Sequence, residues 1–273
     1  MNKIELAKAI ATRLGDLMVD GTVDGATANT LQDIELLFPV DDQCKGFGLY
    51  IHTSALAADQ DKIVSAFTAA SHSLTVVPTF GVTPTIGDLY YLFERFRWRD
   101  YSEAINDAMR AARRVSLLPY TATMNIVGTQ DAYPIPSGFD SINQLVVIPS
   151  GASNYDLDNW RDIPRQCWDI HKDAVGTYNL YFDPRFIELS NYDGRPAMVI
   201  GQRKPVLLST PTTNAEVDDD FLVNFALADL ALRRVGEGEE WYRKSYQYLL
   251  RARELERLIF TYQYPDSIGV AYV

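Results

Sequence analysis

A mixed α+β architecture is predicted for this 273-residue chain by three observations. Apolar residues recur at helical spacing near both ends and once in the middle. Two long stretches between these helices switch to short apolar runs separated by turn residues, the pattern of antiparallel strands. Hydrophobic residues make up 47% and charged residues 22%, which supports a packed core and excludes a disordered or collagen-like chain. The expected fold is a helical core (an N-terminal helix, a central helix and a C-terminal helical hairpin) with two antiparallel β-rich regions and an extended C-terminal arm.

Residues 1–20 are expected to supply the N-terminal helix. Ile4, Ala7, Leu14, Leu17 and Met18 share one face over residues 2–18, and Asp20-Gly21 is read as the stop. Residues 21–98 are expected to form a β-sandwich or barrel-like insertion. Short strands are placed near 46–52, 62–64, 73–77 and 87–93, with Ser71-His72-Ser73 as a hairpin tip. Residues 99–120 hold the central helix. Asp100 is expected at the N-cap with Glu103 at the capping-box position, Ala104, Ile105 and Ala108 form the apolar stripe, and Pro119 marks the end.

Residues 121–216 form the second β-rich region. Tyr133-Pro134-Ile135-Pro136 is read as a rigid extended segment, because proline fixes its own φ and pushes its predecessor toward extended geometry. Strands are expected at 144–148, 179–182 and 197–200. Residues 217–260 form the C-terminal pair of helices. Asp218, Asp219 and Asp220 lie at the positive end of the first helix dipole, and Gly236 and Gly238 bracket the turn. Residues 261–273 are aromatic and non-periodic, so they are read as an arm available to a partner groove.

Few chemistries fit these residues. Cys44 and Cys167 are far apart, so a reducing compartment is the default and no disulfide framework is expected. Cys44, His52 and His72 match no zinc spacing, and no metal or cofactor is expected. There is no Gly-x-Ser-x-Gly elbow and no phosphate-cradling glycine loop. Asp41-Asp42 reads as a turn, and Asp218 to Asp220 as a helix cap rather than a cation site. No apolar stretch approaches the ~20 residues that span a bilayer, and no membrane partner is expected. The net charge of -11 argues against broad attraction to DNA phosphates. Arg110, Arg113 and Arg114 form a local basic group, which a helix C-terminus favours.

The succession of patterns says more than any one of them. Gly81-Val82-Thr83-Pro84-Thr85-Ile86-Gly87-Asp88-Leu89-Tyr90-Tyr91-Leu92 closes a strand-rich segment. The helix around Ala104-Ile105-Asn106-Asp107-Ala108-Met109-Arg110 follows, then Tyr133-Pro134-Ile135-Pro136, the strand at 144–148, and the helices at 218–259. This order resembles the head-to-tail connector (adaptor or neck) proteins of tailed bacteriophages. The resemblance implies a non-catalytic virion protein, made in the host bacterial cytoplasm. It implies a homo-oligomeric ring, commonly of twelve copies, between the portal protein and tail or neck proteins, with DNA as passing cargo. The two β-rich regions are additions to the smallest members, which are largely helical.

Portal-side contacts are then expected from the last helix and arm, at Trp241, Tyr242, Tyr246, Phe260, Tyr262, Tyr264, Pro265, Ile268, Tyr272 and Val273. Acidic side chains are expected along the channel, with the arginine-rich helix turns kept in protein contacts. Two other readings remain open: another neck, minor head or tail structural protein, and a carbohydrate-binding β module for host recognition, suggested by the 16 tyrosines and 4 tryptophans. An enzyme ranks behind both.

Overall fold

In a computed structural model of the chain, residues 1–54, 56–115, 117–147, 161–172 and 177–263 are described, with only the backbone path given for 115 and 259–263. The fold is mixed α+β with antiparallel sheets. The chain divides into two units, Met1–Val115 with Val206–Val273, and Ser116–Pro205.

The first unit begins with a capping box. The Asn2 side chain accepts from Glu5 N, and the Glu5 carboxylate accepts from Asn2 N, opening helix α1 (Lys3–Leu14). The helix is shorter than its apolar spacing suggests. Gly15 takes the left-handed conformation (φ 69°), which ends it, and Leu17 and Met18 belong to a strand instead.

Seven antiparallel strands follow: β1 (Leu17–Thr22), β2 (Gly25–Ala26), β3 (Thr30–Gln32), β4 (Gly48–Thr53), β5 (Gln60–Thr68), β6 (Ser73–Val77) and β7 (Leu89–Phe93). Their order in the sheet is β1-β7-β4-β5-β6-β3-β2. The two edge strands are separated by Val23-Asp24 alone, so the sheet must curl until its edges come together. Val23 sits at that seam, donating to Asp88 O (2.8 Å) and accepting from Gly87 N (2.8 Å). Leu31, Leu49, Ile51, Phe67, Leu74, Val76, Tyr90 and Leu92 fill the interior. The Tyr90 hydroxyl donates to Asp33 (2.8 Å) inside it. Gly21 lies against this pair, where a Cβ would stand 2.6 Å from Asp33 Oδ2 and 2.7 Å from the Tyr90 ring. The expected stop at Asp20-Gly21 is therefore a strand position that only glycine fits.

Alternation gives β7 and β4 a second core on their outer face. Tyr90 and Leu92 point into the curled sheet, whereas Tyr91 and Phe93 pack with the helices. On β4, Leu49 and Ile51 face in, and Tyr50 stacks on Trp98 with ring centroids 3.9 Å apart. The helices on that face are α1, α2 (Trp98–Val115) and α3 (Asp219–Arg233), and α4 (Glu239–Gln263) adds Ala252 to the same cluster. Helix α2 starts two residues before the expected cap. Asp100 sits inside the first turn and accepts from Arg97 N (2.9 Å).

A buried carboxylate joins the end of α1 to the start of α2. Asp16 is 1% exposed, and accepts from Arg95 N (2.6 Å), Phe96 N (3.2 Å) and the Tyr101 hydroxyl. Its own carbonyl accepts from Glu94 N (3.0 Å). Burial lifts its carboxyl above the ordinary range although these three donors pull the other way.

The second unit holds two antiparallel sheets. One runs β11 (Arg161–Asp162), β10 (Ser141–Val147), β14 (Pro196–Arg203), β8 (Leu118–Asn125). The other runs β12 (Trp168–Lys172), β13 (Tyr178–Phe182), β9 (Ala132–Pro134). Leu145, Val147 and Val199 from the first sheet, and Tyr133, Trp168, Leu180 and Phe182 from the second, share one core. Pro119 does not end the region's helix directly. It lies on edge strand β8, where a missing N–H is tolerated.

Candidate partner-docking face

The last two helices explain which side chains remain exposed. Asp218 caps α3, accepting from Phe221 N (2.8 Å). Phe221, Leu222, Val223, Ala226, Leu227, Leu230 and Ala231 are all buried, so α3 spends most of its surface on the core. Helix α4 packs against α3 and the helical core with Tyr248 and Leu255 partly buried beside two small residues. Ser245 and Ala252 are buried there, and Ser245 Oγ donates to Ala228 O (2.9 Å).

The opposite face of α4 is open. Tyr242 and Tyr246 are each 56% exposed and Leu250 is 43% exposed. Their four-residue spacing puts them on one stripe about 12 Å long, at 1.5 Å rise per residue. Arg253 and Arg257 fall on the same side by helical phase, and both are exposed. Around the stripe run pairs along the helix: Glu239 with Arg243 (2.8 Å), Glu240 with Lys244 (2.7 Å) and Glu254 with Arg251 (3.0 Å). Such exposed pairs are screened by solvent, so they make the face soluble rather than stable.

The expected docking residues therefore part company. Tyr242 and Tyr246 lie on the open stripe. Trp241 is half-buried on another side, between the Arg95 guanidinium (5.7 Å) and the Lys244 ammonium (5.0 Å). Phe260 and Tyr262 lie on α4, which runs to Gln263, three residues past the expected end of the helix. Tyr264, Pro265, Ile268, Tyr272 and Val273 lie outside the described residues. Leu250 was not among the expected residues, although its i+4 step from Tyr246 is readable in the sequence.

The other chemistry-bearing residues have structural work to do. Cys44 is in the curled-sheet core, with its thiol pushed up to about 11 by burial. His52 stacks on Tyr91 (4.0 Å between ring centroids), and burial lowers its pKa. The His72 Nδ1 lies 2.7 Å from Leu36 O. Asp41 and Asp42 accept from Ala69 N (2.7 Å) and Phe67 N (3.0 Å) across the hairpin. Asp220 meets Arg13 at 3.1 Å, and Arg110 pairs with Asp107. Among the described residues, no group of three His, Cys, Asp or Glu side chains could hold a metal ion. No helix among them is long and apolar enough to cross a membrane.

A family model described as SU10 adaptor protein matches residues 69–266. The match begins just before β6 and runs past the end of α4, leaving α1 and β1 to β5 before it. A search of the curated proteins found no match.

Proposed function

Because the chain belongs to the SU10 adaptor protein family, we propose that it is a head-to-tail adaptor of a tailed-phage virion, a structural protein that works by docking and not by catalysis. Copies form a ring, of twelve in the commonest arrangement, that joins the portal to the tail and leaves a channel for DNA. The observation that carries this reading is the family match over residues 69–266, which takes in the exposed aromatic stripe of α4. A non-enzymatic role also agrees with the residues above, whose carboxylates and imidazoles are tied into caps, turns and stacks. The chain is made in the host cytoplasm and ends in the neck of the virion.

The docking face is the open side of α4 together with segment 261–273, and the segment makes the portal contact. The excess of acidic over basic side chains suits a channel wall, since like charge weakens contact with passing phosphates. Mass measurement of the purified protein, alone and with portal, tests the assembly: rings are expected, and a chain that stays monomeric in both conditions overturns it. Removing residues 261–273 should weaken portal binding by at least ~100-fold, about 2.7 kcal/mol, with an unchanged melting temperature. Undiminished binding by the truncated chain would refute the assignment of the segment.

A further inference from the structure

Resting on the ring reading, we infer that the Tyr242–Leu250 stripe of α4 receives the loop between β3 and β4 of the neighbouring copy, with Ile34, Leu37 and Val40 of that loop as its apolar anchors. The first observation is what the loop exposes. Ile34, Leu37 and Val40 are 61%, 82% and 62% exposed, so three large apolar side chains face solvent within seven residues. An exposed apolar cluster of this kind marks an interaction surface.

The loop is also held in place. Leu36 is buried, and its carbonyl faces His72 Nδ1. Ile34 N donates to Asp24 (2.8 Å), Glu35 N donates to Asp33 (2.8 Å), and the Asp41 and Asp42 carboxylates hold the chain to the end of β5. A loop ordered before it meets a partner loses little entropy on docking.

Charge and composition select the occupant. The loop carries exposed carboxylates at Glu35, Asp41 and Asp42 against one exposed cation, Lys45, whereas the stripe carries Tyr242, Tyr246 and Leu250 beside Arg253 and Arg257, with Glu239 on the same side held by Arg243. Tyrosine and arginine are the side chains that most often anchor protein interfaces, and an acidic apolar loop complements them. The two surfaces differ, which is what a closed ring needs: each copy gives its loop to one neighbour and its helix to the other. The loop lies before the residues that the family model matches, and the stripe lies within them.

Mixed cross-linking tests the pairing. Chains carrying Leu37→Cys and chains carrying Tyr246→Cys are combined in equal amounts, assembled with portal, and oxidised with copper phenanthroline. The native Cys44 and Cys167 are buried, which keeps the background low. A dimer at least ~10-fold stronger in the mixture than in either variant alone is expected. Rings that form without the mixed dimer, or an equal dimer from Tyr246→Cys alone, overturn the pairing and leave the ring reading standing. A chain that never assembles overturns both.

A charge exchange checks the same contact without cysteines. Glu35→Lys should raise the concentration needed for assembly by about tenfold, and Arg253→Glu in the same chain should restore it. Both positions are exposed, so the fold is not at risk. Assembly indifferent to Glu35→Lys would also overturn the pairing.

Discussion

Asp16→Ala should destabilise the first unit by about 3–5 kcal/mol, the cost of removing one side of a buried charged network. Its carboxylate is 1% exposed and accepts three hydrogen bonds, from Arg95 N, Phe96 N and the Tyr101 hydroxyl. Truncation leaves all three donors buried without a partner, and each such group costs ~1–3 kcal/mol. For a unit of this size the melting temperature should fall by roughly 10 °C. Tyr101→Phe is the comparison, because it removes one donor and leaves the carboxylate with two. Its loss should be less than half as large. Equal melting temperatures for wild type and Asp16→Ala would show that the network contributes nothing.

The same carboxylate carries a pH signature. Its pKa in the folded chain is raised, chiefly by burial, so the native state holds the proton more tightly than the unfolded state. The proton-linked part of the stability from this group is complete below its unfolded value of about 4 and is lost as pH rises through the native pKa, while the hydrogen bonds it accepts remain. The advantage of wild type over Asp16→Asn, read by denaturant titration, should therefore be largest in acid and shrink toward neutrality. A gap that widened over that range would contradict the burial effect.

Gly201→Ala should cost the second unit about 2–4 kcal/mol, as substitutions that force packed backbone apart do. Gly201 is central in its sheet, facing Ile142 of β10 on one side and Tyr120 of β8 on the other. A Cβ there would lie 2.1 Å from Ser141 O, 2.9 Å from the Phe139 ring and 3.0 Å from Ile142 Cα. The first and last of these are backbone atoms, so no side-chain rotation relieves them. The register shift between Ile142 and Gln144 sits beside this contact, a bulge that brings β10 against the glycine. Hydrogen exchange should show faster amides in β10 and β14, while α2 keeps its protection. Unchanged protection at β10 would mean that the strand yields without cost.

These sites differ in how far the sequence reveals them. Strands β5, β6, β7, β10, β13 and β14, and the capped helix α3, follow from period and turn residues, because their signals are local. Strand β1 was hidden. Leu17 and Met18 continue the helical spacing of α1, and Gly15, whose left-handed φ ends that helix, carries no mark that sets it apart from Gly21. The Asp16 network is illegible for another reason: its partners lie 79 to 85 residues away in sequence. On α4 the tyrosines were readable as a surface, but not which of them faces outward. That depends on the contact with α3, where Ser245 and Ala252 turn inward and leave Trp241 against Arg95.

The alternation along β7 has a consequence for how the first unit fails. Tyr90 and Leu92 belong to the interior of the curled sheet, and Tyr91 and Phe93 to the helical core. One five-residue strand is thus a common wall, so neither chamber can be breached while the other stays shut. Such a unit should resist partial fraying and give way all at once.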